Sequence, residues 1–97
     1  MELVLLGGGG HCKSCIDVIE QIGKYRIVGI LDKQEKLGES VLGYKFLGTD
    51  EEIPRLVKSN LLFFITIGQI ESAKRRIELF FKIKKLGGKL PVIVSPS

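Results

Sequence analysis

Four consecutive glycines, Gly7 to Gly10, follow directly on the apolar run Leu3-Val4-Leu5-Leu6. An apolar run without alternation suits a strand buried on both faces of a parallel sheet. Glycines at its end let the backbone turn tightly and come close to a ligand, because no Cβ atoms stand in the way. From His11 to about Ile22 the apolar residues Cys15, Ile16, Val18, Ile19 and Ile22 fall at helical spacings. Gly23 then offers a left-handed stop. A buried strand, a glycine turn and a helix form the first half of a βαβ unit, and this restricts the fold more than any other feature of the chain.

The rest of the sequence repeats that alternation. Arg26 to Leu31 reads as a second buried strand with Asp32 just beyond it, and residues 33–43 read as a loop. Tyr44 to Leu47 reads as a short edge strand. Thr49 and Glu52 have the spacing of a capping box, and Pro54, which lacks a backbone donor, leaves the element they open short or broken. Leu61 to Ile67 is the strongest strand signal, followed by a turn at Gly68-Gln69 and a long helix from about Ile70 to Leu86. On that helix Ile70, Ala73, Ile77 and Phe80 or Phe81 are expected on the packed side, with Phe63 and Phe64 also in the core. Gly87-Gly88 ends the helix, and Pro91 to Val94 reads as a last short strand. Strands alternating with helices imply an α/β fold, here a small Rossmann-like three-layer sandwich with a mostly parallel sheet of about five strands. In such a sheet ligands bind beyond the carboxyl ends of the strands. With the first strand central, that crevice is walled by Gly7–His11, Asp32–Lys33 and Gly68–Gln69.

Composition sets outer bounds. The 97 residues make one domain, 1–97, too short for a two-domain enzyme. A charged content of 27% and an apolar content of 44% exclude a disordered or fibrous chain. No apolar run approaches the ~18 residues a membrane-spanning helix needs. Glu2 stands where a signal peptide carries positive charge, so the chain reads as cytoplasmic, with Cys12 and Cys15 reduced. The net charge of +4 comes largely from Lys74, Arg75, Arg76, Lys82, Lys84, Lys85 and Lys89. Without interleaved aromatic residues that cluster reads as the solvated face of a helix, not as a nucleic-acid surface.

The free N–H groups and dipole at the start of the first helix favour phosphate. The dinucleotide pattern G-x-G-x-x-G is nearly met: Gly7 and Gly9 fit, and Cys12 holds the third position. Asp32, at the end of the second strand, is placed to accept a hydrogen bond from a ribose hydroxyl, or to serve only as a turn residue. His11 opens the helix, where it could donate to a phosphate or simply lie on the surface; no nucleophile or carboxylate accompanies it as a catalytic partner. Cys12 and Cys15 form C-x-x-C, but Cys15 is on the apolar side of the helix, which favours packing over redox chemistry. Two cysteines and one histidine fall short of a zinc site.

Four segments in order, Leu5-Leu6-Gly7-Gly8-Gly9-Gly10-His11, Ile30-Leu31-Asp32, Gly43-Tyr44-Lys45-Phe46-Leu47-Gly48 and Ile65-Thr66-Ile67-Gly68, resemble the N-terminal domain of the NeuD/PglD family of sugar O- and N-acyltransferases. Val94-Ser95-Pro96-Ser97 is similar to that family's link into a second domain. The resemblance implies a Rossmann-like domain that holds a UDP-linked amino sugar. It also implies a C-terminal left-handed β-helix of hexapeptide repeats that binds acetyl-CoA, forms a homotrimer and carries the general-base histidine. By the same resemblance the substrate-binding positions are Gly9, Gly10 and His11 at the diphosphate, Asp32 and Lys33 at the nucleoside, and Gly68 at the sheet edge. Cys12 departs from the family's glycine, and a side chain there would narrow the approach to the helix. No hexapeptide repeat occurs before Ser97, so these residues are expected to bind and not to catalyse, as an excised domain or a stand-alone module. The competing readings are an NAD(P)-binding domain of an oxidoreductase or redox sensor, and an interaction module whose glycine loop is only a turn.

Overall fold

The computed structural model describes residues 1–7, 10–34, 38–66 and 69–91, with the side chains of 10–11 and 69–73 outside the description. Strand β1 (Glu2–Leu6) leads to helix α1 (Gly10–Ile22) and strand β2 (Arg26–Leu31). A hairpin of β3 (Ser40–Val41) and β4 (Tyr44–Gly48) follows. A 3-10 turn at Asp50–Glu52, helix α2 (Ile53–Lys58), strand β5 (Leu62–Ile65) and helix α3 (Gln69–Lys85) complete it.

The five strands lie in the order β3-β4-β2-β1-β5. All neighbours run parallel except β3, which is antiparallel to β4. β1 is therefore central, and its side chains divide by parity between the two faces, as strand geometry requires. Leu3 and Leu5 pack with Ile16 and Ile19 of α1, while Val4 and Leu6 pack with Ile53 and Leu56 of α2 and Leu79 and Ile83 of α3. The result is three layers: α1, the sheet, then α2 with α3. The pairing of β2 with β1 skips Val28 between Ile27 and Gly29. That bulge puts Ile27 and Ile30, three positions apart, on the same α1-facing side.

The β2 boundaries match the sequence expectation, and Gly23 ends α1 with φ +71°. Other elements differ. Tyr44–Gly48 is not an edge strand: it lies between β2 and β3. The expected loop 33–43 contains β3, whose hairpin turns at Leu42 and Gly43 with φ +50° and +90°. Pro54 sits in the first turn of α2, where its missing N–H costs nothing, so it starts the helix and does not break it. Thr49 caps the 3-10 turn, its side chain accepting from the Glu51 N–H at 3.4 Å, but Glu52 pairs with Arg55 and does not fold back on Thr49.

The packed side of α3 is also corrected. Phe80 and Phe81 are not core residues: they are 42% and 63% exposed, and Ile77 is 56% exposed. The buried stripe is Leu79 and Ile83, four apart, against Val4, Leu6 and Phe63. Phe63 is fully buried and Phe64 packs at the border of the α1-side cluster. The expected strand beginning at Pro91 lies, beyond that residue, outside the described residues; an isolated parallel bridge joins Lys89 to Leu62 just before it.

Candidate functional site

The carboxyl ends of four neighbouring strands are tied together: the residue just past β5, β1 and β2 donates in each case to the last residue of the next strand. The Thr66 N–H donates to the Leu6 carbonyl at 2.9 Å, the Gly7 N–H to Leu31 at 2.8 Å, and the Asp32 N–H to Gly48 at 3.1 Å. These bonds continue the ladder into the connecting loops and fix where each one leaves the sheet. Gly7 adopts φ +114°, a conformation that side-chain-bearing residues rarely enter. The first glycine of the run is thus required by the turn itself. Its carbonyl also accepts a short hydrogen bond from the Thr66 hydroxyl, which lies 2.9 Å from the Leu6 carbonyl as well.

Helix α1 begins at Gly10, with His11 second. Gly9 and Gly68 lie outside the described residues, as does the His11 side chain. Cys12 does not narrow the approach to the helix: its side chain is fully buried in the α1-side core with Leu3, Leu5 and Ile16. Burial pushes its thiol up to about 11, partly offset by a hydrogen bond with Thr66, while Cys15 and Asp32 add smaller upward effects. Burial raises the Cys15 thiol as well. Both are free thiols, and a thiol held protonated is a poor nucleophile, so the C-x-x-C pair packs.

Asp32 is the buried acid of this end of the sheet, 8% exposed. Its Oδ1 accepts from the Lys33 N–H at 2.7 Å, while Lys33 itself is exposed. Arg75 of α3 extends to the same carboxylate, its guanidinium 3.8 Å from Asp32 Oδ1 and 3.5 Å from Asp50 Oδ1. Lys82 donates from Nζ to the Asp50 carbonyl at 3.4 Å. The basic residues of α3 are therefore not one solvated face, since Arg75 is half-buried and turned to the sheet end. Arg75 and Asp50 are the residues that sequence reasoning missed. A usable signal existed: Arg75, Leu79 and Ile83 are spaced four apart and share one side of the helix.

Among the described residues no three His, Cys, Asp or Glu side chains are grouped to hold a metal ion. A cleft of about 220 Å³ lined by Met1, Val57, Leu61, Leu62 and Gly88 lies at the opposite, amino-terminal end of the strands. No helix among the described residues is long and apolar enough to cross a membrane.

The topology, the glycine turn and the placement of Asp32 are those expected of a nucleotide-binding α/β domain. The model of the PglD N-terminal domain family matches residues 2–80. The chain belongs to this family. Among solved structures, a point mutant of perosamine N-acetyltransferase from Caulobacter crescentus, in complex with CoA and GDP-perosamine, is 30% identical with a TM-score of 0.84. That match covers 100% of this chain and 44% of the other. The acetyltransferase domain of PglB from Neisseria gonorrhoeae, in complex with acetyl coenzyme A, is 25% identical with a TM-score of 0.79, covering 98% of this chain and 44% of that one. A second structure of the PglB acetyltransferase domain from the same organism is 27% identical with a TM-score of 0.83, with the same coverage. This chain thus spans less than half the length of these neighbours. No curated protein matches it.

Proposed function

We propose that this domain binds the nucleoside diphosphate part of a nucleotide-linked amino sugar and presents the sugar for acetylation. The observation that carries this reading is Asp32: a buried carboxylate at the carboxyl end of β2, beside the glycine turn and the start of α1. A buried acid there can accept hydrogen bonds from a ribose, while N–H groups at a helix start receive phosphate. In this reading Gly9, Gly10 and His11 meet the diphosphate, Asp32 and Lys33 the nucleoside, and Gly68 allows close approach at the β5 end. Family membership supports the sugar-nucleotide class, and the perosamine enzyme holds a GDP-linked sugar. The family resemblance in the sequence implies a UDP-linked one, so both nucleotides belong in the test. Acetyl-CoA, the trimer contacts and the general base are assigned, in this proposal, to a further β-helix domain and to no residue of this chain.

Calorimetric titration with UDP-N-acetylglucosamine and a GDP-linked hexose tests the reading. Asp32→Ala is expected to weaken the preferred ligand about ten- to a hundredfold, the usual loss for a hydrogen bond to a charged group. Unchanged affinity in a folded Asp32→Ala protein would overturn it.

A further inference from the structure

We infer that Arg75 is a positioning residue of the nucleotide site, holding the Asp32 carboxylate in its ribose-accepting orientation. This inference rests on the proposed function above and adds a residue to it from the far side of the sheet. Arg75 belongs to α3, which packs on the face opposite α1 through Leu79 and Ile83. Its guanidinium nevertheless reaches the carboxyl ends of both β2 and β4, lying 3.8 Å from Asp32 Oδ1 and 3.5 Å from Asp50 Oδ1.

Two carboxylates on one guanidinium have a mechanical consequence. Asp50 opens the 3-10 turn after β4, and the Lys82 Nζ donates to its backbone carbonyl from α3. Asp50 therefore anchors Arg75 to the rim of the crevice, and Arg75 in turn constrains Asp32. The Lys33 N–H donates to the same oxygen, Oδ1, at 2.7 Å. Oδ1 thus accepts one backbone hydrogen bond and faces a cation at ion-pair distance, which favours one setting of the carboxylate about χ2. That setting orients the carboxylate as a whole, and a ribose hydroxyl needs an acceptor with a set direction. Because Arg75 is half-buried, water screens the pair less than it would on the open surface.

The readout that separates positioning from general support of the fold is a ratio. A variant that merely loosens the domain weakens every nucleotide alike. One that releases Asp32 selectively erases the preference for a ribose bearing hydroxyls. The wild-type domain is titrated with GDP, UDP and their 2′,3′-dideoxy forms, and the series is repeated with Arg75→Met and Arg75→Lys. The wild type is expected to prefer the hydroxylated ligand at least about tenfold. Arg75→Met should reduce that preference to about twofold or less, and Arg75→Lys, which keeps a cation of similar reach, should retain most of it. If Arg75→Met does not fold, Arg75→Gln, with its shorter polar side chain, takes its place. A preference preserved in the folded variant overturns the role of Arg75 alone. A wild type that binds nucleotide without any such preference removes Asp32 as the ribose acceptor, and the inference falls with it. A wild type that binds no nucleotide overturns both this inference and the proposed function.

Discussion

Replacing Thr66 by valine changes almost nothing in shape and removes one hydroxyl from the end of β5. Thr66 is 1% exposed, and its hydroxyl lies within hydrogen-bond distance of the Leu6 and Gly7 carbonyls. The Leu6 carbonyl keeps the Thr66 N–H as a donor at 2.9 Å, so its loss is small. The Gly7 carbonyl loses the donor that the hydroxyl supplies. Leaving a buried acceptor without its partner costs about 1–3 kcal/mol, and no cavity adds to it because valine fills the same volume. About 2 kcal/mol corresponds to a fall of roughly 8–16 °C in Tm for a domain of this size. Urea unfolding followed by circular dichroism should show a lower midpoint with an unchanged slope. Thr66→Ser keeps the hydroxyl and loses one methyl, so it should cost about 1 kcal/mol. A Thr66→Val protein as stable as the wild type, or more stable than Thr66→Ser, would refute the claim that this hydroxyl ties the glycine turn to the sheet.

Three further outcomes follow from the packing and the thiols. Phe63→Ala should cost about 3–5 kcal/mol, while Phe81→Ala should stay within about 0.5 kcal/mol, both read from urea midpoints. Gly29→Ala would place a Cβ 2.3 Å from Leu47 Cγ on the neighbouring strand, so it should destabilise the domain, and adding Leu47→Ala should restore most of the loss. Because the Cys12 thiol is raised to about 11 in the folded state from about 9, its contribution is complete below pH 9 and is lost as pH rises towards 11. The stability difference between wild type and Cys12→Ala should therefore shrink over that interval, and iodoacetamide at pH 8 should label the folded protein far more slowly than the urea-unfolded one.

The parts of the fold that were legible in the sequence are those where one pattern has one solution. Leu3 to Leu6 and Ile27 to Leu31 are apolar without alternation, which only a strand covered on both faces explains, and both are central strands. The β3–β4 hairpin was not legible. Its first strand is two residues long, and its turn puts Leu42 at φ +50°, where asparagine or glycine would have announced it. Helix α3 carries two apolar stripes, Ile77 with Phe81 and Leu79 with Ile83, and periodicity alone does not say which one meets the sheet. Choosing the wrong stripe placed Phe80 and Phe81 in the core and also left Arg75 among solvated cations. Of the candidate site, the turn at Gly7 and the place of Asp32 just past β2 were legible, because they depend on chain order. The site was not legible where it depends on a helix crossing from the other face.

The central claim, that a nucleotide-linked sugar is held at the carboxyl ends of the strands, is tested most directly by mapping backbone amide shifts. The domain is titrated in turn with UDP-N-acetylglucosamine, a GDP-linked hexose and NAD. A sugar-nucleotide site predicts saturable shifts at Gly9, Gly10, His11, Asp32 and Gly68 with a nucleotide sugar, and none of comparable affinity with NAD. Tighter binding of NAD at those amides, or no shift there with any nucleotide sugar, would contradict it.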